Sequence, residues 1–534
     1  MRKITQRQEG QLIELSPSAE EELKSSRHYN DDLAPVSVKN RTWKTRDVAV
    51  LWFGLAVSIP ALALASSLVA LGVSPLLSII NVILGNLIVL IPIQLNAHVG
   101  TKYGIPYPIY ARLTFGVRGA HLSSVSRSIV GCGWASIQCW VGGGAVAALL
   151  GIVIPFFSDR NAIISMPGND HVVAGQLVGF FLFILSCGWV SYHGMNKIRL
   201  VQNIGGPLLI LAILGLTVWS AVTIRETGHS VLEIFTVGNN EEIIARNGGF
   251  WFIYLAGLTG NIAYWATIAL NIPDFSKMAR SQKDQFRGQM IGMPLPMALC
   301  AIAGALFGLA TYYKYGEAHF DPTSIFYFVD NKIAILVCSL GVIIATLTTC
   351  VAANIVAPAN GWSNLSPRRI SYRKGVIITL LISVFVTQPW FIYGSGSSFI
   401  FTWLNNYGMV IAPVAAILCG DYFVCKKMRV DIYALYLGNE GRYHYTGGWN
   451  WCAIIAWVIS VIPPLLGNTV FAYASSVRVT PDFLDMIAAN GYFFSFAVAF
   501  LVYVLLMKSR LFGGPEEKGY VSQAEHDEIT GKVD

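Results

Sequence analysis

Between residues 51 and 96 the chain contains no Asp, Glu, Lys, Arg or His. Residues 128–158, 248–273 and 333–367 are equally free of charge. Crossing the hydrocarbon core of a bilayer takes about 20 apolar residues in a helix, so each stretch is long enough to span. Composition agrees. Charged residues make up 13% of the 534, against about 25% in a soluble domain, too few to cover a water-exposed surface. The apolar runs are continuous rather than alternating, which favours a helical bundle over a barrel. Disorder, collagen-like repeats and a secreted disulfide scaffold are excluded.

Twelve candidate spans follow: 48–71, 74–97, 124–156, 172–192, 199–222, 248–272, 288–313, 333–361, 375–391, 399–420, 451–473 and 487–507. The expected fold is an all-α integral membrane protein with twelve transmembrane helices. Residues 98–119, with Lys102, Pro106, Pro108 and Arg112, are too polar to span and are expected along the interface. The polar start, residues 1–47, lacks the apolar core of a cleavable signal peptide. The net charge of +7 sits in short loops between spans. It reads as a topology signal rather than a nucleic-acid surface. Assigning loops alternately puts 23 Lys and Arg on one side and 6 on the other. Both termini, including the tail 508–534, are therefore expected in the cytoplasm, with the protein in the plasma or inner membrane. The nine cysteines show no metal-type pair spacing and read as buried, reduced packing residues.

Charged groups inside a membrane usually mark proton relays and voltage sensors. Here the polar residues within spans are neutral, such as Gln138, Asn261, Thr348, Thr349, Asn354, Asn405 and Asn406. A neutral polar solute is the guest this chemistry suits. Helix breaks add to this. The first span carries Gly54-Leu-Ala-Val-Ser-Ile-Pro60 and the sixth carries Ala256-Gly-Leu-Thr-Gly-Asn261. Unwound backbone at membrane depth lines a cavity or is buried in protein. A matched pair five spans apart is what inverted-repeat transporters show. An ordinary proline kink and a glycine packing site are the alternatives. Trp134 and Gln138, four apart, share a helix face. The indole offers a flat surface to a planar ring, and the amide can donate and accept at once. A bundle tryptophan beside an interhelical glutamine is the alternative.

Five stretches, in order, resemble the nucleobase–cation symport-1 family of hydantoin, allantoin, uracil and cytosine permeases. They are Tyr29-Asn-Asp-Asp-Leu-Ala-Pro35, Gly133-Trp-Ala-Ser-Ile-Gln138, Trp265-Ala-Thr-Ile-Ala-Leu-Asn-Ile-Pro-Asp-Phe-Ser-Lys277, Thr348-Thr-Cys-Val-Ala-Ala-Asn354 and Gly420-Asp-Tyr-Phe-Val-Cys-Lys-Lys427. The resemblance implies a leucine-transporter-type fold. Five-helix repeats would occupy residues 48–222 and, inverted, 248–420, with two additional helices in 451–507. It implies a symporter working by alternating access. Trp134 and Trp265 would hold the ring between two indoles, with Tyr264 as the neighbouring alternative to the second, and Gln138 and Asn354 would bond its edges. A cation, expected to be Na+, would take the carbonyls of Gly54, Val57 and Ala345 and the hydroxyls of Thr348 and Thr349. Those hydroxyls bonding back to a carbonyl one turn earlier is the alternative. At 3.6 residues per turn, Asn354 lies roughly 120° from Thr348, so one helix could serve cation and ring. Ser58 stands where family members often carry a larger amide and bears on which ring fits. Asp274 and Asp421 read as caps and ion-pair partners.

No cofactor beyond the coupling ion is expected. The partners are a small neutral heterocycle and membrane lipid, with no nucleic acid and function as a monomer. Proton-coupled transport of a purine, cytosine or vitamin-like ring, and a membrane sensor of the same ligands, are the competing readings. An enzyme would need a nucleophile, an acid–base pair or a metal motif near the bilayer, and none is legible. Nor does any segment read as a channel filter.

Overall fold

The computed structural model describes residues 4–167, 169–193, 195–321, 331–366, 368–392, 400–467, 481–514 and 517–531. Its first apolar stretch is two helices, α1 (Thr45–Ala56) and α2 (Ile59–Ala70), bent by 56°. Local chemistry explains the bend. Pro60 has no N–H to give to a preceding turn, and it sits in the first turn of α2, where none is needed. Ser58 is extended (φ −158°, ψ 159°), and its hydroxyl accepts the Ala61 N–H at 3.3 Å as an N-cap. The break expected at Gly54–Pro60 is therefore present, centred on Val57 and Ser58.

The remaining apolar stretches also carry helices. In chain order they are α3 (Pro75–Tyr103), α4 (Gly119–Gly151), α5 (Ala174–Tyr192), α6 (Met195–Glu226), α7 (Phe250–Ala263), α8 (Ala266–Asn271), α9 (Gln282–Gly292) and α10 (Pro294–Tyr315). Then come α11 (Lys332–Thr349), α12 (Val356–Leu365), α13 (Tyr372–Phe385), α14 (Asn406–Cys419), α15 (Trp451–Leu465) and α16 (Gly491–Lys508). A π-helical turn, Cys350–Ile355, joins α11 to α12, and two more, Ile400–Asn405 and Gly420–Cys425, flank α14. Among the described residues eight helical segments are long and apolar enough to cross a membrane, and the bent α1–α2 pair makes a ninth. In lipid there is little hydrophobic force between helices, so close backbone approach does the packing. Gly143 and Gly179 let α4 and α5 touch: a Cβ on Gly179 would lie 2.2 Å from the Gly143 carbonyl oxygen.

Three polar regions are folded against the rest of the protein. Residues 107–115 are packed inside the protein. They form a buried helix, Tyr107–Phe115, whose Arg112 donates to the His28 carbonyl and to Asn364 Oδ1 at 2.9 and 2.8 Å. Residues 4–47 are folded as well. Strands Gln6–Glu9 and Leu12–Leu15 pair antiparallel, the helix Pro17–Leu23 follows, and buried Arg41 bonds the carbonyls of Ile13, Val36 and Thr101. The C-terminal helix Gln523–Ile529 joins them, with the Thr5 N–H reaching the Ile529 carbonyl at 3.2 Å.

Asp421 pairs as expected. Lys426 donates to both its carboxylate oxygens at 2.5 and 2.6 Å, and neither side chain is exposed. Thr114 donates to the same carboxylate at 2.9 Å. Removing one partner of a buried pair costs about 3–5 kcal/mol, because a charge stays behind. Lys426→Met is therefore expected to lower the unfolding temperature of the purified protein clearly, measured by thermal scanning in detergent. An unchanged temperature would contradict a buried, ionised pair.

Candidate functional site

The sixth span breaks one turn later than its glycines suggest. Residues 256–261 are helical, and α7 runs unbroken to Ala263. Gly257 and Asn261 serve packing instead. A Cβ on Gly257 would meet Leu68, and Asn261 Nδ2 donates to Asn81 Oδ1 on α3 at 2.8 Å. The chain interrupts at Tyr264 and Trp265, with Trp265 at φ −101°, ψ 2° before α8 begins. An interrupted helix leaves carbonyls without donors. The Ala263 carbonyl recovers one from Tyr407 on α14, whose hydroxyl donates at 2.5 Å. The two broken spans meet directly: Ser58 Oγ and the Tyr264 hydroxyl are 2.9 Å apart.

Around this meeting point lies an aromatic cluster. Trp134, on α4, makes edge contacts with Tyr264, Tyr407 and Trp403 at centroid separations of 5.1, 6.3 and 6.4 Å. Its indole N–H donates to the Tyr407 hydroxyl at 3.2 Å. Trp265 meets this group edge-on at Tyr264, with centroids 5.0 Å apart. Its ring packs edge-on against Trp52 at 5.2 Å, and its N–H donates to Asn86 Oδ1 at 2.7 Å. Tyr264, rather than Trp265, is the ring that contacts Trp134.

Gln138 lies one turn beyond Trp134 and meets Asn354: Asn354 Nδ2 donates to Gln138 Oε1 at 3.1 Å, and both side chains are buried. Asn354 does not follow the regular 3.6-residue phase. It sits in the π-helical turn Cys350–Ile355, which widens the helix and resets the angle between Thr348 and Asn354. Such single π turns recur at functional sites.

Just before that turn, three oxygens converge. Thr348 and Thr349 each donate to the Ala345 carbonyl, at 2.6 and 3.1 Å. The back-bonded arrangement of threonines in membrane helices is thus present here, and it gathers both hydroxyls at one carbonyl. Helix α1, which touches α11, ends at Ala56. The last backbone bond of that helix runs from the Val57 N–H to the Phe53 carbonyl. The carbonyls from Gly54 to Val57 then have no next turn to receive. Gly54 is open: a Cβ there would meet nothing within 4 Å.

Arg127 reaches the same π turn. It is buried on α4 and donates to Asn271 Oδ1 from Nε and Nη2, at 3.2 and 3.0 Å, and to the Ala353 carbonyl at 3.3 Å. Asn271 in turn donates to Asp274, which also accepts the Tyr107 N–H at 2.8 Å. Asp274 thus joins a network wider than a helix cap, and burial raises its pKa above the usual carboxylate value. Tyr407, Trp403, Asn86 and Arg127 escaped sequence reading because no local pattern marks them. The neutral pair Asn405–Asn406 beside Tyr407 was the nearest signal.

Broken helices facing each other over neutral amides and aromatic rings, in a multi-pass helical membrane bundle, are the architecture of a secondary transporter. Residues 35–514 match the family described as permeases for cytosine/purines, uracil, thiamine and allantoin, and the chain belongs to that family. It is 36% identical over 486 residues to a purine-uracil permease of Arabidopsis thaliana, covering 90% of this chain and 78% of the relative. It is 32% identical over 500 residues to the allantoin permease of Bacillus subtilis (strain 168), covering 92% and 95%. These relatives are permeases, not enzymes. The fold matches a nucleobase-cation-symport-1 family transporter solved in a closed conformation with bromovinylhydantoin bound. The TM-score is 0.71 at 19% identity, over 94% of this chain and 99% of that one. A Na+-coupled sialic acid symporter matches at TM-score 0.56 and 14% identity, over 90% and 93%. The leucine-transporter-like fold expected from sequence is thereby established.

Tyr407→Phe would leave the Ala263 carbonyl and the Trp134 indole N–H without their partner. Unpaired buried groups cost about 1–3 kcal/mol each, so this variant is expected to melt several degrees lower. A melting temperature equal to the parent's would mean that water or another side chain satisfies the break.

Proposed function

We propose that the protein is a secondary active symporter importing a neutral nitrogen heterocycle of the allantoin, hydantoin or uracil class with Na+, by alternating access. The Gln138–Asn354 amide bond beside the face of Trp134 carries this reading. A cyclic urea or imide presents C=O next to N–H. Gln138 Oε1 can accept the ring N–H and Asn354 Nδ2 can donate to the ring C=O. Empty, the two amides satisfy each other, which avoids the cost of unpaired polar groups in the membrane interior. Trp134 supplies one wall and Tyr264 the other. Trp265, held by Asn86, supports the break behind Tyr264. Ser58 is short and leaves room where a longer amide would reach the ring, so it bears on which ring fits.

The cation would sit among the carbonyls of Gly54, Val57 and Ala345 and the hydroxyls of Thr348 and Thr349. Sodium is a hard ion suited to neutral oxygens. On binding, the two hydroxyls would turn their protons from the Ala345 carbonyl and offer lone pairs. Among the described residues no carboxylate hydrogen-bonds Gln138, Asn354, Thr348 or Thr349, which favours sodium over a titrating proton carrier. Thr349 ends α11 and Asn354 lies in the π turn that follows, so cation and ring share one segment. That segment is the route for coupling. The Arg127–Asn271–Asp274 network closes the cytoplasmic side and would open on release. The reading includes twelve spans, inverted five-helix repeats at 48–222 and 248–420, two further helices in 451–507, cytoplasmic termini and a functional monomer.

The test is uptake into proteoliposomes of labelled allantoin, hydantoin, uracil, cytosine and a purine, with an inward Na+ gradient and clamped pH. One ring is expected to accumulate, and to stop accumulating without Na+. Thr349→Ala should reduce the Na+ response at least tenfold while ring binding at saturating Na+ persists. Uptake that follows pH and ignores Na+ would overturn the cation assignment. Uptake of none of these rings would overturn the substrate class.

A further inference from the structure

Three cysteines that sequence spacing left unrelated meet in the membrane interior. Cys139 lies on α4, Cys187 on α5, and Cys350 opens the π turn after α11. Cys139 Sγ is 3.7 Å from Cys350 Sγ and 4.0 Å from Cys187 Sγ, and all three sulfurs lie within 4.8 Å of one another. All three are free thiols with no exposed surface. The Cys350 thiol also points at the Ala135 carbonyl, at 3.8 Å.

A single buried cysteine is an ordinary small apolar residue. Three, converging from three separate segments, form a donor set. Sulfur ligands stand about 2.3 Å from a bound metal, and three of them in a trigonal plane are then about 4.0 Å apart. The two closest separations fit that triangle with little movement. The set contains no carboxylate or imidazole. All-sulfur coordination selects soft ions such as Cu(I) and rejects hard ones such as Na+ or Mg2+, so this place is chemically distinct from the oxygen cluster at Ala345. Each sulfur that coordinates does so as the thiolate and releases its proton to solvent, so retention should strengthen as pH rises.

We propose that Cys139, Cys187 and Cys350 form a three-sulfur site for a soft monovalent metal ion of the Cu(I) type. Cys139 follows Gln138, and Cys350 begins the turn that carries Asn354. A metal there clamps the π turn to α4 and α5 immediately behind the amide pair, independently of which ring the amides bind.

The test titrates the purified full-length protein anaerobically with Cu(I) against a chromophoric Cu(I) chelator. A variant with the six other cysteines replaced, exposed Cys338 among them, is run in parallel. Both are expected to retain one Cu(I) per chain and to melt at a higher temperature when loaded, since a ligand that binds only the folded state stabilises it. X-ray absorption of the loaded parent should show one shell of three sulfurs. Cys350→Ser in the variant that keeps only Cys139, Cys187 and Cys350 should weaken retention roughly a hundredfold. No retention by the parent, retention unchanged in Cys350→Ser, or a shell of only two sulfurs would each overturn the site. Should Cys350→Ser fail to fold, the sulfur count on the parent decides alone.

Discussion

A polar group inside a bilayer has no water to bond, and leaving it unpaired costs several kcal/mol. The breaks in the first and sixth spans are arranged under that constraint. The break between α1 and α2 is capped by Ser58, and the break between α7 and α8 hands the Ala263 carbonyl to Tyr407. The two breaks then bond each other through Ser58 and Tyr264. Partner-finding thus draws both interrupted helices to one depth, and the aromatic cluster assembles around them. The amides of Gln138 and Asn354 obey the same rule by bonding each other. A pair of groups that satisfies itself when empty and can be satisfied by a ligand is a natural site for reversible binding.

The π turn Cys350–Ile355 extends this economy. It places Asn354 against Gln138, offers the Ala353 carbonyl to Arg127, and brings Cys350 to Cys139. The threonines at the end of α11 stand immediately before it. In the proposed mode, cation, ring and cytoplasmic closure all act on this one segment. Small changes in its winding would be felt at each of the three, which is a physical basis for coupling without a charged relay.

Much of the fold was legible in the sequence because the bilayer writes its length directly into apolar runs. Among the described residues each expected stretch carries helix, and nine of them are long and apolar enough to span. The first break was legible because Pro60 cannot continue a helix. The face shared by Trp134 and Gln138 followed from helical spacing. What the sequence hid depended on partners far along the chain. The glycines at 257 and 260 suggested a break where α7 packs tightly, while the actual break has no glycine or proline and depends on Tyr407. The π turn has no local signature, so the phase of Asn354 could not be read by counting residues. The packing of the buried helix Tyr107–Phe115 and of residues 4–47 could not be read locally, because their polar groups bond remote carbonyls. The three thiols come together only through the crossing of α4, α5 and α11.

The central claim is that the Gln138–Asn354 amide pair recognises the ring. A double-mutant cycle tests it most directly. Binding of the transported heterocycle to Gln138→Ala, Asn354→Ala and the double variant would be measured by titration calorimetry at saturating Na+. Each single variant is expected to lose roughly five- to a hundredfold in affinity, from the cost of an unpaired buried amide. The double variant should lose less than the sum of the two free energies, because the residues act on one ligand as a pair. Parent-like affinity in both single variants would contradict the claim and place the ring elsewhere in the bundle.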